Sequence, residues 1–80
     1  MRSLDAAEHE TAFHLFKRYQ CGRDTVRIPT REVFATLPHA APELCAAQGC
    51  NAGTLYNKLL SFGQEEIDNL FMEFVRRMND

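Results

Sequence analysis

The sequence lacks both a long apolar run and an excess of basic residues. Its apolar runs are a few residues long, far short of the ~20 that a membrane-spanning helix needs. The formal net charge is -2 and the isoelectric point is about 5.9. Nothing resembles the basic surface that phosphate neutralisation demands of a nucleic-acid-binding protein. These absences exclude a membrane protein and count against DNA or RNA as a partner.

The chain also lacks a disulfide framework. Cys21, Cys45 and Cys50 are odd in number, match no framework spacing and follow no signal-peptide pattern, which indicates a reducing, cytoplasmic setting. The cysteines and the three histidines form no CxxC or HxxxH pair, the spacing that zinc sites use. We therefore expect no metal, no cofactor and no catalytic residues.

What remains is the composition of one small folded domain, residues 1–80. Hydrophobic residues make up 45% and charged residues 25% of the chain, which is ordinary for a globular domain. A single core of this size supplies only about 3 to 5 kcal/mol. Nearly every apolar residue is therefore needed inside, unless a partner completes the fold.

Capping residues and helical periodicity predict an all-α fold. The first helix spans about 5 to 20, beginning near Ser3 or Asp5, where Asp5 and Glu8 have capping-box spacing. Gly22 is a plausible stop. A polar loop over 21–29 ends in a β-favouring stretch, and Thr30 caps a second helix that we expect Pro38 to end.

The second half of the chain contains three further helical patterns. Pro42 suits the first turn of a short helix through about Gln48. Asn51 then caps a helix that ends at Gly63. The last helix has the clearest pattern, because its apolar residues follow the i, i+3, i+4, i+7 series: Ile67, Leu70, Phe71, Phe74, Val75 and Met78.

Two stretches resemble a pair of EF-hands of the calmodulin and myosin light chain superfamily. The first carries an E-x-A-F-x-L-F helix, a loop and I-x-x-x-E, with these residues: Glu10, Ala12, Phe13, Leu15, Phe16, Ile28 and Glu32. The second resembles the closing helix of another hand around Ile67. The resemblance implies four main helices, arranged as two EF-hand-like helix-loop-helix units, with a minimal β-bridge between Ile28 and Ile67.

The residues that would bind calcium are missing from both loops. A calcium loop supplies oxygen ligands at alternate positions, a glycine at the sixth position and a glutamate at the twelfth. With Glu32 as the twelfth position, the first, third and sixth are Cys21, Arg23 and Val26. With Ile67 as the eighth, the second loop has Phe71 at the twelfth. We therefore expect a calcium-independent module.

By resemblance, such a frame holds an amphipathic helix of a larger protein, either a motor or a scaffold, in a groove. The residues predicted to line the groove are Phe34, Leu37, Leu55, Leu59, Phe71, Met72, Phe74 and Met78. The simpler interpretation of each is ordinary core, because a domain this small needs its apolar residues inside.

The alternative is a helix-turn-helix DNA-binding protein. The stretch LCAAQGCNAGTLYNKL, residues 44–59 within a unit of 42–60, resembles small phage lysogeny regulators, with Gly49 at the turn. That resemblance implies that five residues of the following helix face the major groove and the phosphates: Asn51, Thr54, Tyr56, Asn57 and Lys58. Lys58 is the only cation between Leu44 and Phe62.

Overall fold

The computed structural model describes residues 4–79, and its fold is all-α, as predicted. Five helices follow one another along the chain: α1 Ala6–Gln20, α2 Arg31–Ala40, α3 Pro42–Ala47, α4 Ala52–Ser61 and α5 Gln64–Asn79. Four are long and α3 is the short helix that begins at Pro42. The described residues contain no strand.

Side-chain caps begin three of the helices where the sequence predicts them. The Asp5 carboxylate accepts the Glu8 N–H at 2.8 Å and the Glu8 carboxylate accepts the Asp5 N–H at 3.0 Å, which is a complete capping box. Thr30 accepts the N–H of Val33, and Asn51 accepts the N–H of Thr54. The other predicted start, Ser3, lies outside the described residues.

The prediction that Pro38 ends α2 is wrong. The helix continues to Ala40, and the Ala41 N–H closes its last turn on the Leu37 carbonyl at 3.0 Å. Pro38 removes the N–H that would bond the Phe34 carbonyl, but its ring is fully buried. Burial of the ring offsets the lost hydrogen bond. Pro38 lies in the last turn of α2, so the helix has only two more residues after it.

The β-bridge between Ile28 and Ile67 is also wrong. Ile67 lies inside α5, and its N–H bonds the Gly63 carbonyl at 3.1 Å. Near Ile28, the Thr25 carbonyl and the Arg27 N–H both bond the side chain of Gln20. Only Phe62 and Gly63 separate α4 from α5, too few residues for a twelve-residue calcium loop.

The α5 side of α1 is closed by phenylalanine rings. Phe71 lies 4.9 Å from Phe16 and 4.5 Å from Phe34, centroid to centroid, and Phe74 lies 5.4 Å from Phe13. Such distances are those of packed aromatic pairs. Three helices, α1, α2 and α5, are therefore held around one aromatic centre.

A different side of α1 faces α3, the turn after α3 and Lys58 of α4, and it carries polar contacts beside the buried Leu15. Residues 8, 11, 15 and 18 lie on this side of the helix, three or four positions apart. Thr11 Oγ1 lies 3.3 Å from Cys50 Sγ, just after α3, and Arg18 Nη1 lies 2.6 Å from Glu43 Oε1 on α3. The helix α1 thus packs aromatic rings against α5 on one side, while on another side polar side chains pair with α3, the turn after it and α4 around the buried Leu15.

Candidate functional site

Most of the residues predicted to line a groove lie in the core instead. Five are completely buried: Phe34, Leu55, Leu59, Phe71 and Phe74. Leu37 is half-buried, while Met72 and Met78 are 50% and 42% exposed on α5. The eight residues therefore do not form one accessible surface, and only Leu37 lies in the open groove described next.

An open, mostly apolar groove lies between α1 and the C-terminal end of α2. It has a volume of about 210 Å³. The residues that line it are Leu15, Arg18 and Tyr19 from α1 and Leu37, Ala40 and Ala41 from the end of α2. We call this feature the α1–α2 groove.

The groove exists because small side chains stand where a larger one would fill the space. Arg18 and Tyr19 follow Leu15 by three and four positions, about one helical turn, so the three side chains share a face of α1. Opposite them, Ala40 and Ala41 contribute only methyl groups at the end of α2. The apolar surface also continues along α2, because Val33, which is 44% exposed, precedes Leu37 by four residues.

Two arginines stand at the rim of the α1–α2 groove. Arg18, a lining residue, is paired with Glu43, and both side chains are 59% exposed. The Arg23 guanidinium lies 4.5 Å from the centroid of the Tyr19 ring, and its Nε donates to the Tyr19 carbonyl at 3.0 Å. The groove therefore combines an apolar floor with positive charge beside it.

The pKa of Glu43 is lowered by this arrangement. Its own backbone N–H is the largest cause and the hydrogen bond from Arg18 is the second. The Glu43 carboxylate is consequently charged at neutral pH and balances one of the two rim arginines. Any acidic group that approaches Arg18 competes with Glu43.

The segment of residues 42–60 has the turn at Gly49 and the helix cap at Asn51 that its sequence predicts. Gly49 adopts a φ of +75°. The N–H of Cys50 bonds the Cys45 carbonyl at 2.8 Å, and the N–H of Gly49 bonds the Ala46 carbonyl at 3.1 Å, which is a Schellman turn. Beyond it, Asn51 caps α4.

The structure divides the predicted DNA-contacting residues into two groups. Asn51, Thr54 and Asn57 are exposed at three-residue intervals, so they lie along one side of α4. Tyr56 is half-buried, and its ring lies 5.1 Å from that of His39. Lys58, the only cation between Leu44 and Phe62, is paired with Glu8 of α1.

Lys58 forms an ion pair that joins α4 to the beginning of α1. Its Nζ lies 2.6 Å from Glu8 Oε1, with side-chain exposures of 25% for Lys58 and 8% for Glu8. The same oxygen accepts the capping N–H of Asp5. A phosphate could take Lys58 only by leaving the Glu8 carboxylate buried without its cation, which is costly.

The described cysteines, histidines and acidic residues are of the types that metal sites and reactive thiols use. Over residues 4–79, no cluster of three or more His, Cys, Asp or Glu side chains is placed to hold a metal ion. Burial, and then the neighbouring Cys50 and Glu43, raise the pKa of Cys45, which is opposite to the change that activates a thiolate.

Sequence reasoning missed five of the six residues that line the α1–α2 groove. Leu15 and Tyr19 carry a signal, because their i, i+4 spacing marks an apolar strip beside the one formed by Phe13 and Phe16. Alanines carry none, because a methyl group suits either a core or a surface. Only the packing of α2 against α1 shows that Ala40 and Ala41 leave a space.

Comparisons with known proteins leave the chain without a family. No family model, no curated protein and no solved structure matches it. Among the described residues, no helix has the length and apolar character needed to cross a membrane.

Proposed function

We propose that this chain is a calcium-independent protein-binding module that holds an amphipathic helix of a larger partner in the α1–α2 groove. The observation that carries the proposal is the groove itself, an open apolar surface on a domain whose other large apolar side chains are mostly in the core. An accessible apolar groove of this kind is a common docking site for a helix. The EF-hand and helix-turn-helix resemblances stay predictions.

The size of the groove supports a peptide side chain as its occupant. Pockets for small molecules and cofactors usually measure about 300 to 1,000 Å³, whereas this groove measures about 210 Å³. A leucine-sized anchor needs less room than a cofactor. The groove therefore suits one or two side chains projecting from a docked segment.

The shape of the groove supports a helical segment. Val33 and Leu37 lie one helical turn apart on α2, so the apolar strip follows the axis of that helix. A docked helix presents its own anchors at i, i+3 or i+4 and can lie along such a strip. An apolar anchor over Leu37 then places the next one close to Val33.

Nuclear magnetic resonance of the full chain tests the proposal. We expect an amphipathic helical peptide to shift the amide signals of Leu15, Tyr19, Leu37 and Ala40. Ala40→Leu fills the groove from an exposed position and should weaken binding at least tenfold while the fold is kept. Ala6→Leu, the same change at an exposed position in the first turn of α1, should leave binding unchanged.

Two results would count against this function. If peptides shift residues of α5 around Met72 and Met78 and spare the groove, the docking surface is elsewhere. If Ala40→Leu and Ala6→Leu bind equally well, the groove is not the docking surface.

DNA binding is the second candidate, and the exposed row of Asn51, Thr54 and Asn57 after the Gly49 turn favours it. Neutral polar side chains can read base edges, but affinity for DNA comes mainly from cations near phosphates. Lys58 is held by Glu8. Duplex DNA that shifts these three residues, with affinity falling steeply as salt rises, would place this function first. Asn57→Ala and Thr54→Ala are the variants to use, since Lys58 also supports the fold.

A further inference from the structure

We infer that the α1–α2 groove selects an acidic amphipathic helix, whose carboxylates replace Glu43 as the partner of Arg18 and pair with Arg23. The inference rests on the proposed function, because it names the class of segment that the groove takes. It depends on three features of the groove: the local charge, the weakness of the Arg18–Glu43 pair and the position of Arg23.

The segment that supplies Arg18 and Arg23 has a charge opposite in sign to that of the whole chain. Residues 17–31, which form the end of α1, the following loop and the first residue of α2, contain five cationic side chains and one anionic side chain. The rest of the chain contains four cationic and ten anionic side chains. Of the five cations, Arg18 lines the groove and Arg23 contacts Tyr19, another lining residue, while Glu43 balances one of these two charges. An acidic partner is therefore attracted to this end of α1 and repelled by much of the remaining surface.

The Arg18–Glu43 ion pair is a replaceable one. Both side chains are 59% exposed, and exposed pairs contribute little because water competes for each charge. Arg18 already lines the groove, so its guanidinium lies where a docked helix would place a carboxylate. Exchange of the Glu43 carboxylate for one from the partner keeps Arg18 paired throughout.

Arg23 supplies a second and more rigid cation. Its guanidinium is stacked over Tyr19, and Nε is bonded to the Tyr19 carbonyl. A guanidinium has further N–H donors on its two terminal nitrogens, and a carboxylate accepts such donors in pairs. Because Tyr19 already holds Arg23 through these two contacts, less side-chain freedom is lost when an acidic group binds.

The test uses two synthetic helical peptides with the same leucine face. In one, the positions beside the leucines are glutamate, and in the other they are lysine. Dissociation constants are measured by fluorescence anisotropy on the full chain at low and at physiological ionic strength. The wild-type chain should prefer the acidic peptide, and raising the salt should reduce that preference.

Three variants separate the role of the rim charges from general electrostatics. Arg18→Gln should weaken the acidic peptide about two- to fivefold and leave the basic peptide no weaker, the range expected for one exposed charge pair. Glu43→Gln should tighten the acidic peptide about twofold, because it removes the competing carboxylate. The control is Arg76→Gln, which removes one positive charge, as Arg18→Gln does, at an exposed position of α5. It should neither weaken nor tighten binding of the acidic peptide.

The failure of this inference is distinguishable from the failure of the proposed function. If both peptides bind equally and Ala40→Leu abolishes both, the groove binds helices without regard to charge and the acidic preference is wrong. If neither peptide shifts the groove signals at millimolar concentration, both proposals are wrong. If sedimentation shows a dimer that Ala40→Leu dissociates, the occupant is a second copy of the chain and the acidic-helix inference is overturned.

Discussion

The two sides of α1 contrast in how completely they are filled. Toward α5, the rings of Phe13 and Phe16 meet those of Phe71 and Phe74 with centroids 4.9 to 6.0 Å apart. Toward α2, Leu15 and Tyr19 face two alanines, Ala40 and Ala41, across an open groove. The same helix therefore supports a closed core on one side and an accessible apolar surface on the other.

The difference lies in what covers the apolar residues on each side. Polar contacts cover the edges of the closed side: His9 Nε2 lies 2.7 Å from Glu73 Oε2, and Arg77 forms an ion pair with Glu10 at 2.8 Å. Arg77 also lies 4.0 Å from the centroid of the Phe13 ring. On the open side, Ala40 and Ala41 leave a space that no side chain fills.

The largest expected effect is on the closed side, at Phe71. This ring is completely buried and contacts Phe16, Phe34 and Phe74. Phe71→Ala should cost about 3 to 5 kcal/mol, which matches the whole stability of a domain of this size. We therefore expect it to be unfolded at 25 °C by circular dichroism. Its neighbour Met72 is half-exposed, and Met72→Ala should stay within about 0.5 kcal/mol of wild type in urea unfolding.

The second effect concerns the ion pair that attaches α4 to α1. Lys58→Met leaves the carboxylate of Glu8, which is 8% exposed, without a cation and should destabilise the fold. We expect a loss of about 2 to 3 kcal/mol, below the 3 to 5 of a fully buried pair because Lys58 is partly exposed.

Adding Glu8→Gln to Lys58→Met should recover much of that loss, since the amide keeps the capping bond without a charge. Urea unfolding of the two single variants and the double variant measures the coupling. A double variant that is no more stable than Lys58→Met would show that the charge of Glu8 is not the cause.

A smaller effect is expected on the open side, at Leu37. The side chain lines the α1–α2 groove and is only half-buried, so truncation opens existing space further and creates no closed cavity. Leu37→Ala should cost about 1 to 2 kcal/mol, less than a fully buried leucine. If Leu37→Ala destabilises the chain as much as Phe71→Ala in the same assay, the two sides of α1 do not differ in packing as described.

The smallest effect is a pH dependence at the rim of the groove. In the folded chain, the backbone N–H of Glu43 itself and then Arg18 lower the pKa of the Glu43 carboxyl. Glu43 therefore adds to the free energy of unfolding at pH values above the pKa that its carboxyl has in the unfolded chain. This stabilisation is lost as the pH falls through the lower pKa of the folded state. Thermal unfolding between neutral and acid pH should show a slightly weaker acid dependence for Glu43→Gln than for wild type. An identical dependence would mean that neither the Glu43 backbone N–H nor Arg18 lowers the pKa of Glu43 in solution.

Local chemistry made the starts of α1, α2 and α4 predictable. Asp5, Thr30 and Asn51 each accept the expected N–H, because a capping side chain needs only its own first turn. The periodicity of the last helix also predicted its buried face, since Ile67, Phe71 and Phe74 are all completely buried. The error at Ile67 came from placing it in a loop. The helix begins earlier, at Gln64, where the Glu66 carboxylate accepts the N–H of Gly63.

The sequence by itself determined the all-α class, the helix starts and the apolar faces, because these depend on contacts within a few residues. Tertiary structure alone decided which apolar residues stayed open. Nothing local distinguishes Leu37 at the groove from Leu59 in the core, or shows that Lys58 reaches Glu8 across 50 positions. Those outcomes depend on how α2 and α4 pack against α1, where two alanines at the end of α2 leave the space that we propose a partner helix fills.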